Sequence, residues 1–220
     1  MTDLDRINKH MEVGAILWDM DGTLVDSEPL HESALRAALR KAGIKPPDEL
    51  HSKVLGMSAD VVFAWLREDH GLSLDFSDWI RLKYEHYLAN VAEVRAIPEA
   101  LELWAMAEHR GLQQAVVSNS DRLIVDANLR QTNLARAEFK SVSRNDVRLG
   151  KPDPEPYLRA AWLLDVPPAA CIVIEDSPTG ALAGAAAGMQ TYLLDVTGRV
   201  VLDKVNTIRN YSEIPCGAGS

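Results

Sequence analysis

Two textures of hydrophobic patterning divide the chain. Between residues 27 and 94, apolar positions recur at three- and four-residue spacing, the period of one helix face. Leu30, Ala34, Ala38 and Ala42 form a first stripe, with Ser27 placed to cap its start, Pro29 in its first turn and Gly43 at its end. Val61, Val62, Trp65 and Leu66 form a second, bounded by Ser58 and Gly71. Ile80, Tyr84, Tyr87, Leu88 and Val91 form a third behind Ser77, and a short helix is expected near 48–54.

Elsewhere, short apolar runs alternate with helical stretches. The runs at 14–19, 114–118, 139–143, 171–174 and 191–194 predict strands. The stretches at 98–110, after Asp121, at 154–165 and at 178–187 predict helices. Strand and helix in alternation imply an α/β fold, a Rossmann-like doubly wound parallel sheet covered on both faces. The helical block interrupts that alternation after the first strand. It reads as an inserted helical-bundle domain over 27–94, with the sheet domain over 11–26 and 95–216 and flexible ends at 1–10 and 217–220. Trp65, Trp79, Trp104 and Trp162 fall on helical stripes and are expected in the core, as is Trp18 in the first strand. Gly180, Gly184 and Gly188 recur every four residues, as in a helix packed closely on the sheet.

Composition narrows the partners. The 220 residues are 47% hydrophobic and 25% charged, which excludes a disordered or collagen-like chain. Asp and Glu number 32 against 23 Lys and Arg, a formal charge of −9. That balance sets the chain against nucleic acid and anionic membrane surfaces as partners. A small anionic substrate remains compatible with it. Residues 1–10 show no apolar signal segment, and the charge-free run 177–194 is broken by Pro178 and glycines, so no membrane span is expected. Cys171 and Cys216 lack metal-ligand spacing, and a cytoplasmic setting is the simplest expectation. A monomer or small homo-oligomer is expected.

Candidate chemistry lies where the strands end, because open α/β sheets bind ligands at the carboxyl ends of their strands. The first ends in Asp19-Met20-Asp21-Gly22-Thr23, the second in Ser118-Asn119-Ser120 and the third in Glu175-Asp176-Ser177. Gly150-Lys151-Pro152-Asp153-Pro154 lies between the last two. Asp19 and Asp21 are two apart, so an extended backbone sets both carboxylates on one side. With Glu175 and Asp176 they make an oxygen-rich cage suited to Mg2+. Lys151 supplies the cation for an anionic substrate, and the Ser118 hydroxyl can hold phosphoryl oxygens. Gly22 lets the chain turn sharply out of the sheet. A kinase is disfavoured, since no Gly-x4-Gly-Lys-Ser/Thr stretch occurs.

These four segments, in this order, resemble the signature motifs of the haloacid dehalogenase superfamily of phosphohydrolases. The resemblance runs from about Ala15 to Leu194, and the helical block resembles the small cap of the phosphoglycolate phosphatase and β-phosphoglucomutase subclass. It implies a phosphatase acting on a small phosphorylated metabolite, such as phosphoglycolate or a sugar phosphate. Asp19 would be the nucleophile, Asp21 the general acid and base, and Ser118, Asn119 and Lys151 the groups that hold the transferring phosphoryl. Asp19, the backbone carbonyl of Asp21, and Asp176 would hold Mg2+, with Glu175 either a ligand or a supporting carboxylate. Glu28, His31, Lys53, Met57 and Ser58 would face the cleft from the cap; for His31, packing is an equal alternative. Where the mutases carry an Arg after their loop serine, this chain has Ala59, which favours a phosphatase over a mutase. A non-catalytic phosphate-binding or signalling module is the alternative from another class.

Overall fold

The predicted strands pair as one parallel sheet in the computed structural model, which describes residues 13–54, 57–135 and 139–215. The expected flexible ends 1–10 and 217–220 lie outside the described residues. Six strands run in the order β5-β4-β1-β6-β7-β8: β1 is Ala15–Trp18, β4 Gln113–Val117, β5 Lys140–Val142, β6 Cys171–Glu175, β7 Gln190–Leu194 and β8 Val205–Ile208. The last had no counterpart in the hydrophobic pattern. Val205-Asn206-Thr207-Ile208 is an edge strand with only Ile208 buried, so its apolar signal is short.

Period-two alternation sorts β1 between two cores. Ile16 and Trp18 join a cluster with Val116, Ile172 and Ile174, packed under α5 (Pro98–His109) and α6 (Arg122–Gln131). Ala15 and Leu17 join Val117, Val173 and Tyr157 on the other face, under α7 (Glu155–Leu163) and α8 (Pro178–Ala186). The close packing expected of the glycine-spaced helix is met: a Cβ at Gly184 would lie 2.9 Å from Val173 Cγ1 and 2.7 Å from Thr191 Oγ1.

The helical block contains α1 (Glu28–Lys41), α2 (Leu50–Val54), α3 (Ala59–His70) and α4 (Phe76–Ala89), with its own buried cluster around Leu39, Leu66 and Trp79. Two short strands, β2 (Val25–Asp26) and β3 (Arg95–Ala96), pair antiparallel where the chain enters and leaves it. The block is therefore rooted at one point, beside the end of β1.

Several local expectations change. Asp75, not Ser77, caps α4, accepting from the Asp78 N–H at 2.8 Å. Ser27 precedes α1, but its hydroxyl makes no cap hydrogen bond and turns to Asp21 instead. Val61 is 49% exposed, because the inward row of α3 runs through Val62 and Leu66 and lies about 100° from it. Trp162 is 73% exposed: Tyr157, Ala160, Ala161 and Leu164 set the buried face of this helix, and Trp162 lies off it. No described helix is long and apolar enough to cross a membrane.

Candidate active site

Sheet order decides which chain segments meet. β4, β1 and β6 are neighbours, and their registers set Trp18 level with Val116 and Ile174. The residues that follow, Asp19, Ser118 and Glu175-Asp176, therefore reach one edge although up to 157 positions separate them in the sequence. Lys151 arrives from the loop before α7 and closes the group. Its Nζ donates to Asp19 Oδ1 at 2.6 Å, to Glu175 Oε1 at 2.6 Å and to the Val117 carbonyl at 2.7 Å. Nearly buried, this ammonium would lose protonation by desolvation, but Asp19 and Glu175 reverse that and raise its pKa.

Glu175 is fully buried and saturated with donors. Beyond Lys151, its oxygens accept from Tyr157 OH at 2.6 Å and from Ser177 Oγ at 2.9 Å. Gly180 makes room for this carboxylate, since a Cβ there would lie 1.7 Å from Glu175 Oε1. Asn119, expected at the phosphoryl group, spends its amide on the backbone of Lys151: its Oδ1 accepts from Lys151 N at 2.9 Å and its Nδ2 donates to Lys151 O at 3.1 Å. That pairing fixes where the lysine starts.

Asp21 sits in a cage of donors. Ser27 Oγ (2.6 Å), His31 Nε2 (3.3 Å) and Asn128 Nδ2 (3.4 Å) approach Oδ1; Ser118 Oγ (3.1 Å) and Ser120 Oγ (2.9 Å) approach Oδ2. Burial opposes its ionisation, but His31 by hydrogen bond and charge, then Ser27 and Ser120, hold its pKa down to about 2. Asn128 is oriented in turn by Tyr87 OH, which donates to its Oδ1 at 3.0 Å from α4. His31 packs on the Tyr87 ring, with 4.6 Å between centroids, so it both packs and reaches Asp21. Ser120, Asn128, Tyr87, Tyr157 and Lys83 were not singled out as site residues. The aromatic pair and Lys83 sit on helices, away from the strand ends that draw attention in the sequence; Asn128 reaches Asp21 from α6, which follows β4 beside β1, and the packing of α4 on α6 adds Tyr87.

The cleft between sheet edge and helical block has a volume of about 840 Å3. Asp19, Asp21, Ser118, Lys151 and Asp176 line it, and Glu28, His31, Met57 and Ser58 line it as expected from the helical side. Lys53, on α2, is exposed and does not line it. Lys83 on α4 enters the lining, with a pKa lowered by burial against the opposing pull of Asp21, Glu28 and Asp121.

Carboxylate oxygens of Asp19, Glu175 and Asp176 lie within 4.8 Å of one another, an all-oxygen set that could hold a metal ion. Gly22, at φ +84, brings the backbone so close to Asp176 that a Cβ would lie 2.1 Å from its Oδ2. Burial, then Glu175 and Glu28, push the Asp176 pKa from 3.8 to about 7; burial and Glu175 likewise raise Asp19. These shifts mark negative charge without enough compensation, the electrostatic condition that a divalent cation relieves. A raised carboxyl pKa costs folded-state stability as pH climbs through the window from 3.8 to about 7. Mg2+ is therefore expected to raise the melting temperature by several degrees more at pH 8 than at pH 5.5. A melting series with and without Mg2+ checks this; an equal or larger shift at pH 5.5 would contradict it.

Carboxylates and a buried lysine gathered at the carboxyl ends of a parallel sheet, under a helical block, define an α/β protein with an acid-lined site at that edge. Residues 13–188 match the model of the haloacid dehalogenase-like hydrolases, and the chain belongs to that family. Hexitol phosphatase A of Escherichia coli is 32% identical over 182 residues, 81% of each chain. The structure of CbbY from Rhodobacter sphaeroides with phosphate superposes with a TM-score of 0.80 at 27% identity, over 91% of this chain and 96% of that one. A variant of the same protein, in complex with xylulose-1,5-bisphosphate, also gives 0.80, at 26% identity and the same coverage.

Proposed function

We propose that the chain hydrolyses a small phosphorylated sugar-like metabolite through an aspartyl-phosphate on Asp19. It is a phosphatase of phosphate monoesters, and curated relatives such as hexitol phosphatase A support a sugar-type substrate. The observation that carries the reading is the Lys151 bridge between Asp19 and Glu175, which sets a carboxylate and a cation at one point of the cleft.

Asp19 attacks phosphorus in line and the bond from phosphorus to the ester oxygen breaks. Asp21 gives a proton to that leaving oxygen. Asp21 then takes a proton from water, the water oxygen bonds to phosphorus, and the bond to Asp19 breaks to release inorganic phosphate. Lys151 holds phosphoryl oxygens, and Ser118 turns from Asp21 to them as substrate enters. Losing that donor and gaining an anionic neighbour both favour proton uptake by Asp21. Asp19, Asp176 and the backbone carbonyl of Asp21 would hold Mg2+, with Glu175 acting through Lys151. When bound, the ion supplies charge neutralisation at the phosphoryl oxygens. Residues 27–94 form the cap and exclude water during the reaction.

Phosphate release from a panel of small phosphate esters, with Mg2+ and with chelator, tests the reading. Mg2+-dependent release is expected; a folded protein that releases phosphate from none of them would refute it. The Asp21 cage gives a second check. Asn128→Leu is expected to lower kcat/KM, which extends only to the first phosphoryl transfer, at least ten-fold on alkyl phosphates, whose leaving oxygen needs a proton. On p-nitrophenyl phosphate, whose leaving group needs none, the loss in kcat/KM stays within about three-fold, as general-acid assistance is then not required. Equal losses on both would assign Asn128 to structure alone.

A further inference from the structure

The cleft has two tasks: its floor handles phosphorus, and its outer wall meets the rest of the substrate. We propose that this wall selects monophosphates of uncharged, hydroxyl-bearing carbon chains and rejects a second phosphate. The proposal rests on the phosphatase reading above and names the substrate class for that same site.

Apart from the acids and the lysine at the floor, the charged residues lining the cleft are Glu28, Glu32, Asp60 and Asp121 against Lys83 and Arg144. Glu32 is paired with Arg36 at 2.7 Å, so three carboxylates, Glu28, Asp60 and Asp121, face the two cations of the wall. Both cations already have acceptors or acids beside them. Lys83 faces Asp21, Glu28 and Asp121 from α4. Arg144 donates to the Val147 carbonyl at 3.1 Å and shares its recess over Lys151 with Asp60. At the start of α3, Ala59 lines the cleft without any charge. Across the mouth, Tyr84 OH on α4 donates to Asp121 Oδ2 at the start of α6, fixing that carboxylate in the wall.

A second phosphate group carries close to two negative charges near neutral pH. Entering this wall, it would meet more negative charge than positive, and like-charge juxtaposition is a direct means of rejecting a ligand. Hydroxyl groups behave oppositely. Each can donate to a carboxylate and accept from an ammonium group, so a polyol chain uses Glu28, Asp60, Asp121 and Lys83 as they stand. The bisphosphate bound in the Rhodobacter sphaeroides relative is, on this reading, the wrong charge type for this cleft.

Calorimetry on Asp19→Asn with Mg2+ tests the preference without needing turnover. Glucitol 6-phosphate is the monophosphate probe and fructose 1,6-bisphosphate the doubly charged one. The monophosphate is expected to bind at least ten-fold tighter. Adding Asp60→Lys and Asp121→Lys should narrow the ratio ten-fold or more, through gained bisphosphate affinity that weakens in high salt. Asp60→Lys alone, at an exposed position in the first turn of α3, should give a smaller change in the same direction if the combined variant does not fold. Equal affinities, a bisphosphate preference, no saturable binding of either probe, or an unchanged ratio in a folded variant would overturn the proposal. Phosphate release is measured in parallel on the wild-type chain. Its absence for every ester would count against the phosphatase reading, while the order of affinities still decides the wall.

Discussion

Asp19→Asn leaves a folded protein whose kcat falls by at least about 10⁴-fold, the scale on which removing a nucleophile acts. The fold should tolerate the change. Asp19 has a raised pKa because it is buried and faces Glu175, so the amide removes a repulsive charge. Lys151 keeps Glu175 at 2.6 Å and the Val117 carbonyl at 2.7 Å after the substitution. The melting temperature in the absence of metal is therefore expected to stay within a few degrees of wild type, or to rise. Phosphate release and a thermal melt check both halves. A folded variant keeping more than a tenth of the activity would remove Asp19 as nucleophile.

Lys151→Met is expected to damage activity and stability together. The lysine side chain is 3% exposed, between Asp19 and a Glu175 side chain with no exposure at all. Breaking a buried ion pair by removing one partner costs roughly 3–5 kcal/mol, because the remaining charge is stranded. Here two carboxylates are left, together with the Val117 carbonyl. Activity should fall by about 10³-fold, as positive charge at a developing phosphoryl transition state is often the largest catalytic contribution. The pH dependence has a definite sign. Stranded carboxylates are relieved by binding protons, so the deficit relative to wild type should shrink as pH falls and grow as it rises. Urea unfolding at pH 5 and pH 8 measures it. A deficit independent of pH would mean that lost packing, not stranded charge, explains the loss.

Much of the molecule could be read from the chain because its signals are local. Short apolar runs and helical stripes placed five of the six sheet strands and the helical block. Asp19, Asp21, Ser118, Lys151 and Asp176 stood out because each lies at or near a strand end, or in a short polar segment between strands. Where the structure departs from the pattern, the cause is also local. The stripe predicts a buried Trp162, but apolar spacing alone does not set the phase of a helix face, whereas burial of Tyr157 and Ala161 does. Ser27 has the residue type and place of a helix cap, yet Asp21, six positions earlier, takes its hydroxyl at 2.6 Å.

By itself, then, the sequence determined an α/β sheet interrupted by helices, and a set of acids, a serine and a lysine fitted to phosphate chemistry. It could do so because secondary-structure periods and strand-terminal polar residues are written in neighbouring positions. Tertiary structure alone decided how those residues are used. Pairing β1 between β4 and β6 brought Lys151 between Asp19 and Glu175. Packing α4 against α6 carried Tyr87 to Asn128, and so to Asp21. The same packing set Lys83 and Asp121 in the cleft wall. Such contacts join positions from 24 to more than 100 residues apart, and hydrogen bonding, burial and field strength depend on distance in space, which no short window of sequence records.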